Sequence, residues 1–565
     1  MKLKMNSIFL QKINFKEKIL LLVIVMGSIS LFLYYLNLNN SVNYYDEGGY
    51  IEFAQKIIEL GLFNVESDIR TYLFPLIISL FLFIFDGNLD YAKIAMSIFQ
   101  FLVYVFTVIF ITTNTIKNNS RDSKIIGMSI LFFGLLNPYL IQSTTLLLTD
   151  LLASCFIVLS ISIILYKNIL RISVSSISIF LIYAAVMIRP SSLIFLPIVL
   201  GFSLYKIIKL NKIKRTMINN ILKYFLIVFA FLILFFPQIY MNVTKFNHFT
   251  PLIHVSLYED QSKWAVQSLK YGTVTVEGQE PTLHFKSPIM LGEDFTIFEL
   301  IYKNIFAFIY IYSAHIFGVF DWGYVDTYIK DFYPISRIFG SIFLYSTWYF
   351  IFIGIFKFFV NYNSERTKIN LGLLVSAILY TLFIATTLIE SRFGYPILLL
   401  LLPFAGYGIQ SMKLNILKVV SFFFVILVCF TISFSLDLQT NRINWYQHLT
   451  VKDTSNLKIT KELNQKQDWE FVRDYNGYKV FQFKAFKDIG QAQDMILEKS
   501  DGTKLQFDDD FSSAEKFSNR HWENPHHFVI SVSDKDTKWE EDYIPTTVDI
   551  KNYFKKYPYN IIYSK

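Results

Sequence analysis

The chain has 565 residues, of which 53% are hydrophobic, 18% aromatic and 17% charged. That balance excludes an ordinary soluble globular protein and points to a helical protein with many membrane crossings. The net charge of +8 does not signal a nucleic-acid partner, because the basic residues fall in short clusters between apolar runs, as membrane topology requires.

Apolar runs predict about eleven transmembrane helices, near 19–36, 92–111, 124–142, 146–165, 174–188, 191–205, 221–240, 338–359, 369–389, 393–409 and 416–436. The first follows a basic head with no small-residue cleavage pattern after it, and reads as an uncleaved span. Lys and Arg in the connecting loops assign the sides. Lys2 to Lys18, Lys117/Arg121/Lys124, Lys167/Arg171, Lys206 to Arg215, Lys357/Arg366/Lys368 and Lys413/Lys418 all fall on one face, the cytoplasmic one. The loops 41–70 and most of 242–335 are acidic and fall on the other.

Two runs do not fit as crossings without inverting every later loop. Residues 72–85 are apolar but short, and read as a re-entrant or interfacial helix on the outer face. Residues 298–320, dense in aromatics with Lys303 and His315, read as an amphipathic helix at the same interface. The pair 174–205 offers about 48 Å of helix against roughly 60 Å for two perpendicular crossings. Its apex, Arg189-Pro190-Ser191, therefore belongs at or just below the outer surface. The two cysteines, Cys155 and Cys429, lie in apolar runs and form no disulfide framework or metal motif. Beyond residue 436 the composition turns polar. Alternation at Phe481/Phe483/Ala485 and Phe528/Ile530/Val532 predicts strands in a small extracytoplasmic domain over 437–565, separate from the membrane domain over 1–436.

Ionisable residues near membrane depth on the outer face carry the functional signal. Asp46 and Glu47, in NYYDEGGY, could be solvated loop acids. The next residues are amphipathic, however, with Tyr50, Phe53, Ala54, Ile57, Ile58 and Leu60 to Leu62 on one side, so a surface-lying helix would hold both acids at the interface. Asp150 opens the fourth span, where a helix dipole alone would also favour it. Arg189 could snorkel, and Glu390 with Arg392 could form a self-contained pair. His315 could be a lone interfacial histidine, and Arg70 could meet phosphate or solvent. Together they supply what transfer from a lipid phosphate needs. Arginines bind the phosphate as its charge grows, and a carboxylate takes the proton of an incoming hydroxyl.

The order and spacing of these segments over residues 19–410 resemble the GT-C glycosyltransferases, in particular the protein O-mannosyltransferases and the aminoarabinose transferases of lipid A. Asp46-Glu47 with Tyr50 and Ala54 is similar to the Asp-Glu motif of their first outer loop. TYLFPLIISLFLFIFDGNLDYAKI, NPYLIQSTTLLLTDLLA with Asp150, MIRPSSLIFLP and ESRFGYPILLLLLP with Arg392 are similar to later segments. The resemblance implies a GT-C-like bundle with outer-face interfacial helices and a polyprenyl-phosphate sugar as donor. The acceptor would be a hydroxyl on a cell-envelope lipid, glycan or protein, and transfer would invert the anomeric centre. Asp46 would be the base and Glu47 its support or an acceptor contact. Arg392 and Arg189 would hold the phosphate, with Tyr50, Arg70, Asp150 and His315 completing the substrate site. No metal and no cofactor are implied, and the carboxy-terminal region departs from these relatives.

Two other readings stay open. A glycan ligase or polymerase with a lipid-diphosphate donor would share the outer site and need more cationic contacts. A lipid flippase or transporter would spread its charges through the midplane and carry internal repeats. All three place the chain in the plasma or inner membrane, with membrane lipid as its solvent and the amino terminus cytoplasmic.

Overall fold

The computed structural model describes residues 14–40, 45–67, 69–117, 123–166, 172–210, 214–253, 257–270, 285–286, 296–321, 334–360, 365–412 and 416–439, with short strands between 447 and 563. The chain divides into two compact units, residues 1–274 with 285–441, and residues 275–284 with 442–565.

The first unit is helical. Its main elements are α1 (Phe15–Asn39), α2 (Tyr45–Leu60), α3 (Leu73–Ile84), α4 (Leu89–Lys117), α5 (Ser123–Leu135), α6 (Pro138–Ser143), α7 (Thr149–Tyr166) and α8 (Ile172–Ile188). There follow α9 (Phe195–Leu210), α10 (Lys214–Phe231), α11 (Phe236–Phe246), α12 (Leu257–Gln267), α13 (Glu299–Lys303), α14 (Ile305–Phe320), α15 (Pro334–Val360), α16 (Glu365–Ile384), α17 (Tyr395–Ser411) and α18 (Ile416–Gln439). Among the described residues, eight stretches are long and apolar enough to cross a membrane. Helices occupy all eleven predicted segments, but those at 123–135, 174–188 and 369–384 are shorter than the crossing standard. Segment 124–142 breaks at Asn137, whose side chain accepts from the Leu140 amide and caps α6, with Pro138 at the first helical position.

α1 begins at Asn14, which forms a reciprocal capping box with Glu17. It is apolar all round, yet only Ile24, Ser28, Phe32, Tyr35 and Asn39 are buried, one stripe at helical spacing. Leu22, Val23 and Leu33 point outward, which suits a lipid-facing surface. α17 is buried on nearly every side from Tyr395 to Gly406 and forms the centre of the bundle. It crosses α15 at very close range. A Cβ on Gly354 would lie 2.0 Å from the Phe404 carbonyl oxygen, and one on Gly408 would lie 2.0 Å from that of Phe350. Without a hydrophobic drive between helices in lipid, such backbone approach is a principal source of cohesion. α7 and α8 are joined by reciprocal bonds, with Ser160 Oγ donating to the Ser178 carbonyl at 2.8 Å and Ser178 Oγ to that of Ser160 at 2.9 Å.

Helix ends assigned to one side meet each other. Lys124 pairs with Glu17 at 3.0 Å, Thr115 with the Tyr166 hydroxyl at 2.9 Å, and Lys206 with the Leu165 carbonyl at 2.9 Å. The predicted outer segments 72–85 and 298–320 are helices α3, α13 and α14. On α2 the buried stripe is Ile51, Phe53, Ala54 and Ile57, whereas Ile58 and Leu60 are exposed. The buried stripe is thus narrower than the predicted one, because Ile58 and Leu60 have no protein packed over them.

In the second unit the described backbone is extended. Strands 447–450, 527–531, 478–484 and 469–475 lie side by side in that order, the first pair parallel and the rest antiparallel. Strands 504–506, 495–498 and 560–563 form an antiparallel set. The folded domain expected over 437–565 falls for the most part outside the described residues.

Candidate functional site

Five of the eight sequence-selected residues meet in one charged cluster, although they come from four distant parts of the chain. Asp46 lies in the first turn of α2 and Asp150 in the first turn of α7, where a helix dipole favours a carboxylate. The arginines come from helix breaks. Arg189 ends α8 in extended conformation, as a residue before proline prefers, and precedes the 3-10 turn Pro190–Ile194. Arg392 sits in the 3-10 turn Ser391–Gly394 that leads into α17. These breaks free each guanidinium from a helix surface and let it project sideways.

Arg392 is the hub. Its Nη2 lies 3.3 Å from Asp46 Oδ2, its Nη1 lies 3.2 Å from Asp150 Oδ2, and its Nε donates to Glu390 Oε2 at 2.7 Å. Arg189 Nη1 donates to the other oxygen of Asp150, and Arg189 Nε donates to Ser191 Oγ at 2.9 Å. The Phe393 ring backs both guanidiniums, with its centroid 4.6 Å from Arg189 Cζ and 5.8 Å from Arg392 Cζ. Arg70 reaches Asp46 Oδ1 at 3.8 Å and lies 5.1 Å from the Tyr50 ring centroid. It fits there because residue 49 is glycine, since a Cβ at Gly49 would fall 2.3 Å from Arg70 Nη2.

Exposure separates the two aspartates. The Asp46 side chain is 27% accessible and that of Asp150 only 1%, so Asp46 alone of the pair can meet an incoming molecule. Burial pushes the Glu390 carboxyl upward, and the adjacent Arg392 opposes that shift. Burial likewise raises the Tyr50 hydroxyl, with Arg70 opposing.

Glu47 and His315 stand apart from the hub. Successive helix residues point about 100° apart, and Glu47 turns inward where Asp46 turns toward the arginines. Glu47 is fully buried. Its Oε2 accepts from Lys93 Nζ at 3.0 Å and its Oε1 from the Leu147 amide at 2.6 Å. His315, buried on α14, contacts the Ala385 carbonyl through Nδ1 at 2.9 Å, upstream of Glu390 in the segment leading to Arg392.

Sequence reasoning missed Lys93, Phe393 and Asp321. Lys93 had a signal, as a lone cation at the head of an apolar run. Asp321, buried at the end of α14, accepts from Tyr345 Oη at 2.7 Å and Ser433 Oγ at 2.6 Å. Its partners lie on α15 and α18, far along the chain, and no local pattern announces them. Among the described residues no group of three His, Cys, Asp or Glu side chains is arranged to hold a metal ion.

No family model matches the chain, and neither does any curated protein. Among solved structures, the oligosaccharyltransferase of Archaeoglobus fulgidus in its apo form aligns with 76% of this chain at 12% identity and a TM-score of 0.39. The archaeal oligosaccharyltransferase AglB from the same organism, in complex with an inhibitory peptide and a dolichol-phosphate, aligns with 76% of it at 13% identity and a TM-score of 0.36. The alignment spans 57% of each of those chains.

Proposed function

We propose that this protein is a membrane glycosyltransferase of GT-C type, which moves a sugar from a polyprenyl-phosphate donor to a hydroxyl of a cell-envelope acceptor on the extracytoplasmic face. The observation that carries the reading is Arg392 held between Asp46 and Asp150, with Arg189 and Arg70 beside them. A guanidinium fork presents parallel donors that match phosphate as well as carboxylate.

The chemistry follows from the two exposures. Arg392 and Arg189 bind the donor phosphate, and Asp150 beneath them keeps both forks oriented. Asp46, the accessible carboxylate, accepts the proton of the acceptor hydroxyl while its oxygen attacks the anomeric carbon. The bond from that carbon to the phosphate oxygen breaks, and the phosphate leaves with the electron pair against the guanidiniums. Attack opposite the leaving group inverts the anomeric configuration. The step calls for no metal or cofactor. The reading keeps eleven crossings, a cytoplasmic amino terminus and a separate carboxy-terminal domain over 437–565 on the outer side.

The test is sugar transfer in membranes supplied with polyprenyl-phosphate sugars, comparing wild type with Asp46→Asn. A general base contributes about 10²–10⁴-fold, so the variant should lose at least a hundredfold in kcat at equal protein level. Unchanged transfer removes Asp46 as the base. Transfer only from a polyprenyl-diphosphate glycan moves the assignment to a ligase or polymerase, and no transfer from either donor removes the enzyme reading.

A further inference from the structure

The sequence offers Glu47 as a companion of Asp46, yet its carboxylate faces away from the cluster and into the interior. It meets Lys93, itself buried in the first turns of α4. That is a poor place for a lysine on two counts. Burial strips its water, and the positive end of the helix dipole repels it. A cation kept there has a specific task.

The contacts of α4 indicate the task. The segment leading to Asp150 is held at four consecutive residues. Gln100 Nε2, two turns along α4 from Lys93, donates to the Thr144 carbonyl at 3.2 Å and to that of Leu146 at 2.8 Å. Asn39 Nδ2, at the end of α1, donates to Thr145 Oγ1 at 2.8 Å. The Leu147 amide donates to Glu47. Residues 93 and 100 share one face of α4, which therefore serves as a platform. Lys93 grips α2 through Glu47, Gln100 grips the segment ahead of α7, and Glu47 ties the two together. Asp46 is the chain neighbour of Glu47, and Asp150 stands three residues beyond Leu147.

We infer that Lys93 is a positioning residue. Acting through Glu47, it fixes Asp46 relative to Asp150 at the spacing that one guanidinium, Arg392, can span. A staple serving only the fold could sit anywhere in the bundle, whereas this one joins the two backbone segments that present the aspartates. The kinetic consequence rests on the glycosyl-transfer reading, but the mechanical one does not.

The experiment uses the full chain, purified, with two readouts. Lys93→Met should lower kcat on the order of a hundredfold, the cost of misplacing a reacting group by about 1 Å. The donor KM should change by less than about threefold, since Arg189 and Arg392 are intact. Lys93→Arg, which can still donate to Glu47, should recover most of the rate. Should Lys93→Met fail to accumulate, the neutral pair Glu47→Gln with Lys93→Met leaves no buried charge uncompensated, and the same kcat loss is expected. The second readout is amide hydrogen exchange over 45–50 and 146–150, which should accelerate together in the methionine variants and not in Lys93→Arg. Normal exchange in a folded methionine variant, or a normal kcat, overturns the proposal. An inactive wild type whose exchange still responds to Lys93→Met overturns the enzyme reading and leaves the positioning role standing.

Discussion

At Arg392 a single side chain faces three carboxyl groups, and the shape of its head group is what makes this workable. Five N–H donors in a plane reach Asp46, Asp150 and Glu390 at once, whereas a lysine has one nitrogen for all of them. Arg392→Lys should therefore keep the charge and raise the donor KM by about tenfold or more, measured by initial rates against donor concentration. Gly49 makes a sharper case, because its role is to be absent. In Gly49→Ala the added methyl displaces Arg70 from beside Tyr50. The activity loss should equal that of Arg70→Ala, and the double variant should be no worse than either single one, which a double-mutant cycle reads directly. Asp46, Asp150, Arg189 and Arg392 were legible from sequence because a charge beside an apolar run is costly and asks for a reason. The inward turn of Glu47 was not, since helical phase decides it and the amphipathic pattern marks a face without saying what lies under it. Lys93 was missed for a related reason: only the fold reveals that a lysine at the head of a span is covered rather than wet.

Among elements, α17 and α15 show how little side chain a tight crossing needs. Gly354 and Gly408 each face a carbonyl oxygen of the opposing helix, so the clash a substitution creates is with backbone and cannot be relieved by a rotamer. Gly354→Val should push the helices apart and abolish most folded protein, read as loss of monodisperse material in detergent. Gly201→Ala, on α9 with nothing within 4 Å of the added carbon, should be harmless in the same assay. The existence and order of the helices were readable from apolar runs, because those runs are local in the chain, although among the described residues only eight stretches are long and apolar enough to cross a membrane. The break at Asn137 was blurred, since apolar residues continue across it and only the cap marks the turn. The crossing of α15 and α17 could not be read, because two glycines on different helices give no sign that they face each other.

For the whole molecule, sidedness is the property that joins sequence to function. Lys117 and Asn88 lie at opposite ends of α4, and the proposed topology, argued from the loop charges, has the first inside and the second outside. A cysteine placed at Asn88 should react in intact cells with a thiol reagent that cannot cross membranes, and one placed at Lys117 should react only after permeabilisation. The reverse pattern would turn the charged cluster toward the cytoplasm. The polar tail beyond residue 436 was recognisable as a change of composition, but composition does not specify how strands pair over such distances.

The hub also has a place in time. Asp46, Arg70, Asp150 and Arg189 leave the ribosome long before Arg392, which follows Asp46 by 346 positions. Until then Asp46 has Arg70 within reach and Asp150 has Arg189, so each early carboxylate owns a provisional partner while the later helices are still being inserted. Arg392 arrives at the head of the helix that fills the bundle, and its arrival joins the two provisional pairs into one cluster. Maturation of the site is therefore a late event of membrane integration, with only α18 left to follow. Nascent chains halted before residue 392 would carry both halves of the site and no bond between them.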